Sequence, residues 1–274
     1  VTGPGAMLDA QVASLTAALA ACRAQHPGVM TDEPIAPGAP GTGLIFADDF
    51  TGYPNTAALL TYDPNGRGYI HMTPELGVSI DPTGGIGGKQ AVKIAWPAKT
   101  TCSDDSHIIE RAFAAVSAIC VSVTLRYSPG FVFDWLGLKP CVGNAKKLAF
   151  LASPSVAGAS QPRFGVVCEN HALLIGSDLN DPRLAQNLGT IVTPEMLGDG
   201  AWHRYTFRVA QSSSPAAADG HCEGWIDGVK RWDYPAWACG ASGGYNDFML
   251  PTTFNQGSPV AQAEWIDHLA IWKP

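Results

Sequence analysis

Apolar and polar positions alternate most cleanly along Trp202–Asp233, WHRYTFRVAQSSSPAAADGHCEGWIDGVKRWD. His203, Tyr205, Phe207 and Val209 occupy one phase, and Trp202, Arg204, Thr206 and Arg208 the other. That period of two predicts a strand with unlike faces. A polar loop, Gln211–Gly220, leads to a second strand at Cys222–Ile226. Asp227-Gly228 then supplies the residues that tolerate positive φ at both centres of a type I′ turn, so Val229–Trp232 returns as a hairpin. The same alternation runs through Ala118–Tyr127, where Cys120, Ser122, Thr124 and Arg126 oppose Val121, Val123, Leu125 and Tyr127. Shorter strands are predicted at Leu44–Phe50, Tyr69–Met72, Val78–Asp81, Ala91–Trp96, Ser106–Ala112, Lys146–Ala152, Arg163–Glu169, Ala172–Ile175 and Gln262–Trp272. Thr193–Leu197 reads as one helical turn. About thirteen strands in two facing antiparallel sheets are expected.

The period changes in Met7–Gln25, the one convincing helix. Leu8, Val12, Leu15, Leu19 and Cys22 are spaced as a heptad a/d seam, and His26-Pro27-Gly28 ends it. A helix this short is marginal alone, so the stripe needs a partner: the chain's own β-domain or copies of itself. Self-association as a coiled-coil trimer is the expectation, with Cys22 on the seam. Val29–Gly43 alternates Pro and Gly without an apolar period and reads as an extended linker. The organisation is therefore a heptad helix at 1–28, a linker at 29–43 and a β-domain at 44–274.

Composition narrows the class. Only 15% of the 274 residues are charged, while Gly (30) and Pro (21) are plentiful, which suits many short strands joined by turns. A net charge of −7 argues against a nucleic-acid partner. No apolar run reaches the ~18 residues of a membrane span. The opening residues, VTGPGAM, lack the basic and apolar regions of a secretory signal. Of seven cysteines, Cys102, Cys120, Cys141, Cys168, Cys222 and Cys239 fall in the β-region. At least one disulfide is expected, with Cys102, Cys141 and Cys239 beside loops, which implies an oxidising exterior.

Three stretches carry a resemblance. The late pair WHRYTFRV and GWIDG, the opening FADDF and the run VSVTLRYSPGF resemble the concanavalin A-like lectin/glucanase superfamily from about Leu44 to Pro274. The resemblance implies an all-β jelly-roll sandwich in which Gln262–Trp272 closes beside the first strand. It implies far less about activity, because one fold hosts lectins, glucanases and polysaccharide lyases. A retaining glucanase needs two carboxyl groups about 5–5.5 Å apart. Asp48-Asp49 and Asp104-Asp105 are adjacent and point to opposite faces when extended, so hydrolysis is not expected. A lyase needs a base and a group that neutralises a uronate carboxylate. His71, His107, His171, Tyr127, Tyr205, Arg111 and Arg126 are the residue types available, but the Q-I-H and Y-F-K-x-G-x-Y motifs of alginate lyases are missing. His203 fits a satisfied core histidine better than a base, and His268 is ambiguous. Loops of the superfamily often hold calcium, for which Asp178, Asn180 and Asp181 form the best cluster, although such acidic turns are also common without metal. No other cofactor is expected.

The candidate binding face is the polar phase of the central strands. Arg204 and Arg208 share one side of their strand, Glu223 and Trp225 share a side of the next, and Arg126 joins them with suitable register, as Glu110 would. Guanidinium forks, a carboxylate and an indole suit a glycan. The competing reading is a solvated sheet face of weak ion pairs. Helix, linker and lectin-like sandwich together point to a non-enzymatic surface protein. The expected form is a viral (phage) decoration or fibre-type component, or an adhesin, contacting particle proteins or glycans at a virion or cell exterior. The alternative is a secreted polysaccharide lyase acting on a uronate-containing glycan.

Overall fold

The computed structural model describes residues 43–273 except 65, 72–76, 108, 134–145, 153–161, 168–171, 178–185, 188–193, 215–216, 238–243, 251–252 and 255. The predicted heptad helix and linker, Cys22, Cys141, Cys168, Cys239, His171 and the Asp178–Asn180–Asp181 cluster lie outside the described residues, as do the oligomer contacts expected from that helix.

The chain opens with β1 (Gly43–Asp48), β2 (Ile70–His71), β3 (Val78–Asp81) and β4 (Ala91–Trp96). β5 (Asp105–Ser106), β6 (Ile109–Val116) and β7 (Ala118–Tyr127) follow. Next come β8 (Lys147–Ala152), β9 (Pro162–Val167), β10 (Ala172–Ser177) and β11 (Gln186–Asn187). β12 (Trp202–Ala210), β13 (Gly220–Ile226) and β14 (Val229–Trp237) form the meander with the hairpin. β15 (Tyr245–Leu250), β16 (Thr253–Phe254) and β17 (Gln262–Lys273) complete it. Single helical turns stand at Thr56–Leu59, capped by the Asn55 side chain, and at Pro194–Leu197.

The protein is an all-β jelly-roll sandwich of two antiparallel sheets. The larger sheet runs β14-β13-β12-β7-β17-β4-β3, with β1 also on β17; the smaller runs β11-β10-β9-β8-β15-β6-β2. β17 closes the fold by pairing with β7 along one edge and with β4 and then β1 along the other. Asp227 and Gly228 both take positive φ, 53° and 76°, as the hairpin turn demands. At Gly224, an added Cβ would come within 1.9 Å of the Trp232 ring, so only glycine lets that indole cross the strand.

The core lies between the sheets. Ile119, Val121, Val123, Leu125 and Tyr127 of β7 point inward beside Tyr205, Phe207 and Val209 of β12. Phe207 meets Phe248 of the opposite sheet, ring centroids 5.8 Å apart. Cys102 is disulfide-bonded, whereas Cys120 and Cys222 are buried thiols. Burial pushes the Cys120 thiol up to about 11.

Candidate functional site

Because the core takes one phase of β7 and β12, the other phase faces outward from the larger sheet. Register fixes what meets there. Arg126 lies opposite Trp202, Thr124 opposite Arg204, Ser122 opposite Thr206, and Cys120 opposite Arg208. Across the next interface Thr206 lies opposite Trp225 and Arg208 opposite Glu223. Arg126, Arg204, Arg208, Glu223 and Trp225 therefore share one face, the arrangement their alternation requires.

Sharing a face does not make them one site. The Arg126 guanidinium stacks between two indoles, 4.9 Å from the Trp202 ring centre and 4.3 Å from that of Trp265. The Trp265 indole N–H is itself tied to Asp81 at 2.8 Å. Arg208 donates to one oxygen of Glu223 at 3.4 Å, and Lys230 lies 2.8 Å from the other. Lys230 also bonds Asp233 and sits 5.5 Å from the Trp225 ring centre. Arg126, Arg208, Glu223 and Trp225 thus belong to local networks. Arg204, the fifth, lines a cavity.

That cavity, about 250 Å³, is floored by Ser122, Thr124 and Ala270 and walled by Arg204, His268, Asp48, Asp49 and Arg67. A β-bulge creates it. The register of β17 slips between Asp267 and Leu269, and the extra residue, His268, takes φ 49°. A bulge re-aims one side chain out of strand phase, and positive φ on a non-glycine residue is strain that surrounding structure must hold. His268 Nδ1 lies 2.8 Å from Asp267 Oδ1. That contact lifts the imidazole above its ordinary value; Asp49 adds to the rise, while burial and the neighbouring Arg204 oppose it. On the opposite wall Arg67 bonds the buried Asp48, stands 3.7 Å from Asp49 and stacks over Tyr53. Asp48 turns inward and accepts from the Phe50 amide and from Tyr53 and Tyr69. On the floor Thr206 donates to Ser122 at 3.2 Å, and the buried Thr124 hydroxyl has no hydrogen-bond partner. The cavity therefore presents guanidinium, imidazole and carboxylate groups together.

Among the described residues, those considered for elimination chemistry do not assemble. His107 is buried against Trp96, ring centres 4.7 Å apart, and lies 3.3 Å from Asp105. Tyr127 and Tyr205 are core residues whose phenols burial pushes well above the ordinary range. Arg111 donates to the carbonyls of Asp63, Gly68 and Gly66 at 3.0–3.1 Å and lies over Phe46, so it fastens a loop to the core. The side chain of His71 is outside the described residues. His203 is also structural: its two ring nitrogens contact Asp227 at 2.7 Å and Asp199 at 3.1 Å. Glu110 belongs to the smaller sheet, paired with Met249 of β15, and does not join the arginine face. Burial raises its carboxyl.

Sequence reasoning missed the cavity because bulges hide in a period-two reading. A signal existed: Ile266 and Leu269 are successive inward apolar residues three apart, where strict alternation allows two. Among the described residues His221, Glu223 and Asp233 have metal-ligand atoms within 4.8 Å of one another. The Lys230 ammonium already bridges those two carboxylates, so the cluster carries its own cation.

No protein-family model matches the chain, and no curated protein matches it in sequence. Solved structures do match. An endo-β-1,4-glucuronan lyase from the fungus Trichoderma reesei aligns with TM-score 0.58 and 15% identity, over 84% of this chain and 95% of that one. The alginate lyase Aly36B, in complex with alginate trisaccharide, aligns with TM-score 0.57 and 13% identity, over 85% and 98%. The alginate lyase vAL-1 from Chlorella virus aligns with TM-score 0.50 and 14% identity, over 72% and 89%. These likenesses establish the jelly roll and its polysaccharide-lyase look. They overturn the expectation of a non-enzymatic phage or surface component: the scaffold is shared, over almost their whole length, with glucuronan and alginate lyases.

Proposed function

We propose that this chain is a secreted polysaccharide lyase acting on a uronate-containing glycan. The observation that carries the reading is the scaffold itself, matched nearly end to end by lyases of glucuronan and alginate. The disulfide at Cys102 supports an oxidising, exterior location. The reaction is a β-elimination. A base removes the proton from C5, α to the uronate carboxylate; the C4–O bond breaks, a C4–C5 double bond forms, and the departing oxygen gains a proton. Neutralising the carboxylate is what makes that proton removable. Because His107, Tyr127, Tyr205 and Arg111 are committed to the interior, the catalytic groups come from other positions.

The test is to incubate the purified full chain with glucuronan, alginate and polygalacturonate. Ultraviolet absorbance of the new conjugated double bond is followed beside reducing ends. Both rise together on at least one polymer if the reading is right. Reducing ends without absorbance would mean hydrolysis, and silence on all three polymers would remove the lyase assignment.

A further inference from the structure

We infer that the row Trp202–Arg126–Trp265, on the outward face of the larger sheet, is a binding site for a sulfate ester carried on a polysaccharide. The inference goes beyond the lyase reading and does not rest on it. Register builds the row. Trp202 of β12 and Trp265 of β17 lie opposite Arg126 of β7 from its two sides, and Lys93 of β4 lies opposite Trp265. Two strand spacings separate β12 from β17 by about 10 Å, and the guanidinium fills the gap between the indoles. All four side chains are part-exposed.

Two features define the mode of binding. The first is what the guanidinium leaves unused. Its faces are taken by the two rings, yet among the described residues its N–H groups meet no acceptor and it forms no ion pair. Arginine presents five donors in a rigid fork, and stacking fixes the direction of that fork without using it. The charged group that acts on it is Asp81, whose two oxygens are already engaged by the Trp265 indole N–H at 2.8 Å and the Thr83 amide at 3.2 Å. The second feature is that the Trp265 ring has a cation on each side. Arg126 comes from one neighbouring strand, and the Lys93 ammonium, 5.5 Å from the ring centre, comes from the other. A sugar cannot lay its C–H face on that indole, so the row offers the donors of the fork to an oxyanion instead.

Hydration decides which oxyanion. The indoles withhold water from the guanidinium, and burial holds its pKa below the usual arginine range against the pull of Asp81. The partner must therefore give up its own water at low cost. A carboxylate concentrates one charge on two oxygens, whereas a sulfate ester spreads one charge over three. A phosphate monoester also has three oxygens but brings nearly two charges, and the Asp81 carboxylate beside the row repels the second. A singly charged sulfate ester meets both conditions. With a net charge of −7 the chain does not gather polyanions indiscriminately, so binding of a sulfated polymer requires a local site.

The experiment is calorimetric titration of the full chain with dextran sulfate, carboxymethyl dextran and unmodified dextran at ~0.15 M salt, each variant being checked for folding by thermal melt. One neutral backbone common to the three polymers keeps uronate substrates out of the comparison. Dextran sulfate should bind saturably and at least about tenfold tighter than carboxymethyl dextran, and plain dextran should not bind. Arg126→Gln should weaken dextran sulfate about ten- to a hundredfold, the worth of a charged hydrogen bond. Arg126→Lys keeps the charge and loses the fork, and should weaken it about three- to tenfold. Lys273→Gln removes the same charge from an exposed end of β17 and should change the affinity less than about twofold. Carboxymethyl dextran or plain dextran binding as tightly as dextran sulfate overturns the inference, and so does the absence of dextran sulfate binding. A loss in Lys273→Gln as large as that in Arg126→Gln, or binding that neither Arg126 variant changes, overturns it as well.

Discussion

Two charged networks in this molecule use the same chemistry in opposite surroundings. Inside the sandwich, the Lys146 ammonium lies 3.3 Å from Glu264, and neither side chain has any exposure. The Trp96 indole donates to the same carboxylate oxygen at 3.0 Å, and its ring lies 4.7 Å from the ammonium. On the outward face of the larger sheet, Glu223 is equally surrounded by cations, but Arg208 and Lys230 are 40% and 42% exposed. Inside, each charge depends on the protein groups around it, because water cannot substitute. Outside, water can replace any member at little cost. The interior network therefore belongs to the fold, and the exterior one is exchangeable with water.

The largest effect should come from separating the interior pair. Lys146→Met leaves Glu264 buried and uncompensated and should lower stability by about 3–5 kcal/mol in urea unfolding. Adding Glu264→Leu should recover most of that loss, since a buried pair replaced by apolar residues is often neutral. A loss under about 1 kcal/mol for Lys146→Met alone would mean that the interior pair is as replaceable as the exterior one. Next in size is Arg111→Met, which strands the loop carbonyls of Asp63, Gly66 and Gly68. A loss of about 2 kcal/mol or more is expected, with hydrogen exchange rising first in that loop.

The exterior network was legible in the chain and the interior one was not. Period-two alternation fixes which face a residue occupies, so Arg204, Arg208, Glu223 and Trp225 could be placed together from their strands alone. The same rule puts Tyr127 and Tyr205 in phase with Val123 and Leu125, inside the core. Their phase, more than their residue type, decides that they are core residues rather than catalytic groups. Lys146 and Glu264 are distant in sequence, and no local pattern announces that topology will bury them together. Tyr245–Leu250 carries no strand signal in its sequence, because Asn246 and Asp247 are poor strand formers and a bulge breaks its period. Packing of Phe248 and Leu250 into the core makes it a central strand regardless.

A partly buried case falls between the two extremes. Burial alone would depress His203, but Asp227 and Asp199 outweigh it and raise the imidazole above its ordinary value. The stabilisation this gives is complete below about pH 6.5, the unfolded value, and is lost as pH rises through the higher folded one. The stability difference between the native chain and His203→Gln should therefore shrink with rising pH over that window. A difference independent of pH would show that the imidazole acts by packing alone. His268 is raised as well but is common to both proteins, so it cancels.

The smallest effect should come from the exterior pair, and its smallness is what the comparison requires. Arg208→Gln removes one cation from Glu223, whose side chain is only 9% exposed and by burial alone resembles an interior carboxylate. Yet Lys230 remains 2.8 Å from its other oxygen, and both cations reach water, so the carboxylate keeps a counter-charge and solvent. Unfolding free energy should change by less than about 1 kcal/mol, and added salt should shrink the difference further. A loss comparable to that of Lys146→Met would mean that Glu223 behaves as a core charge. The outward face would then be committed to the fold as firmly as the interior, leaving its cations no freedom to turn toward a glycan.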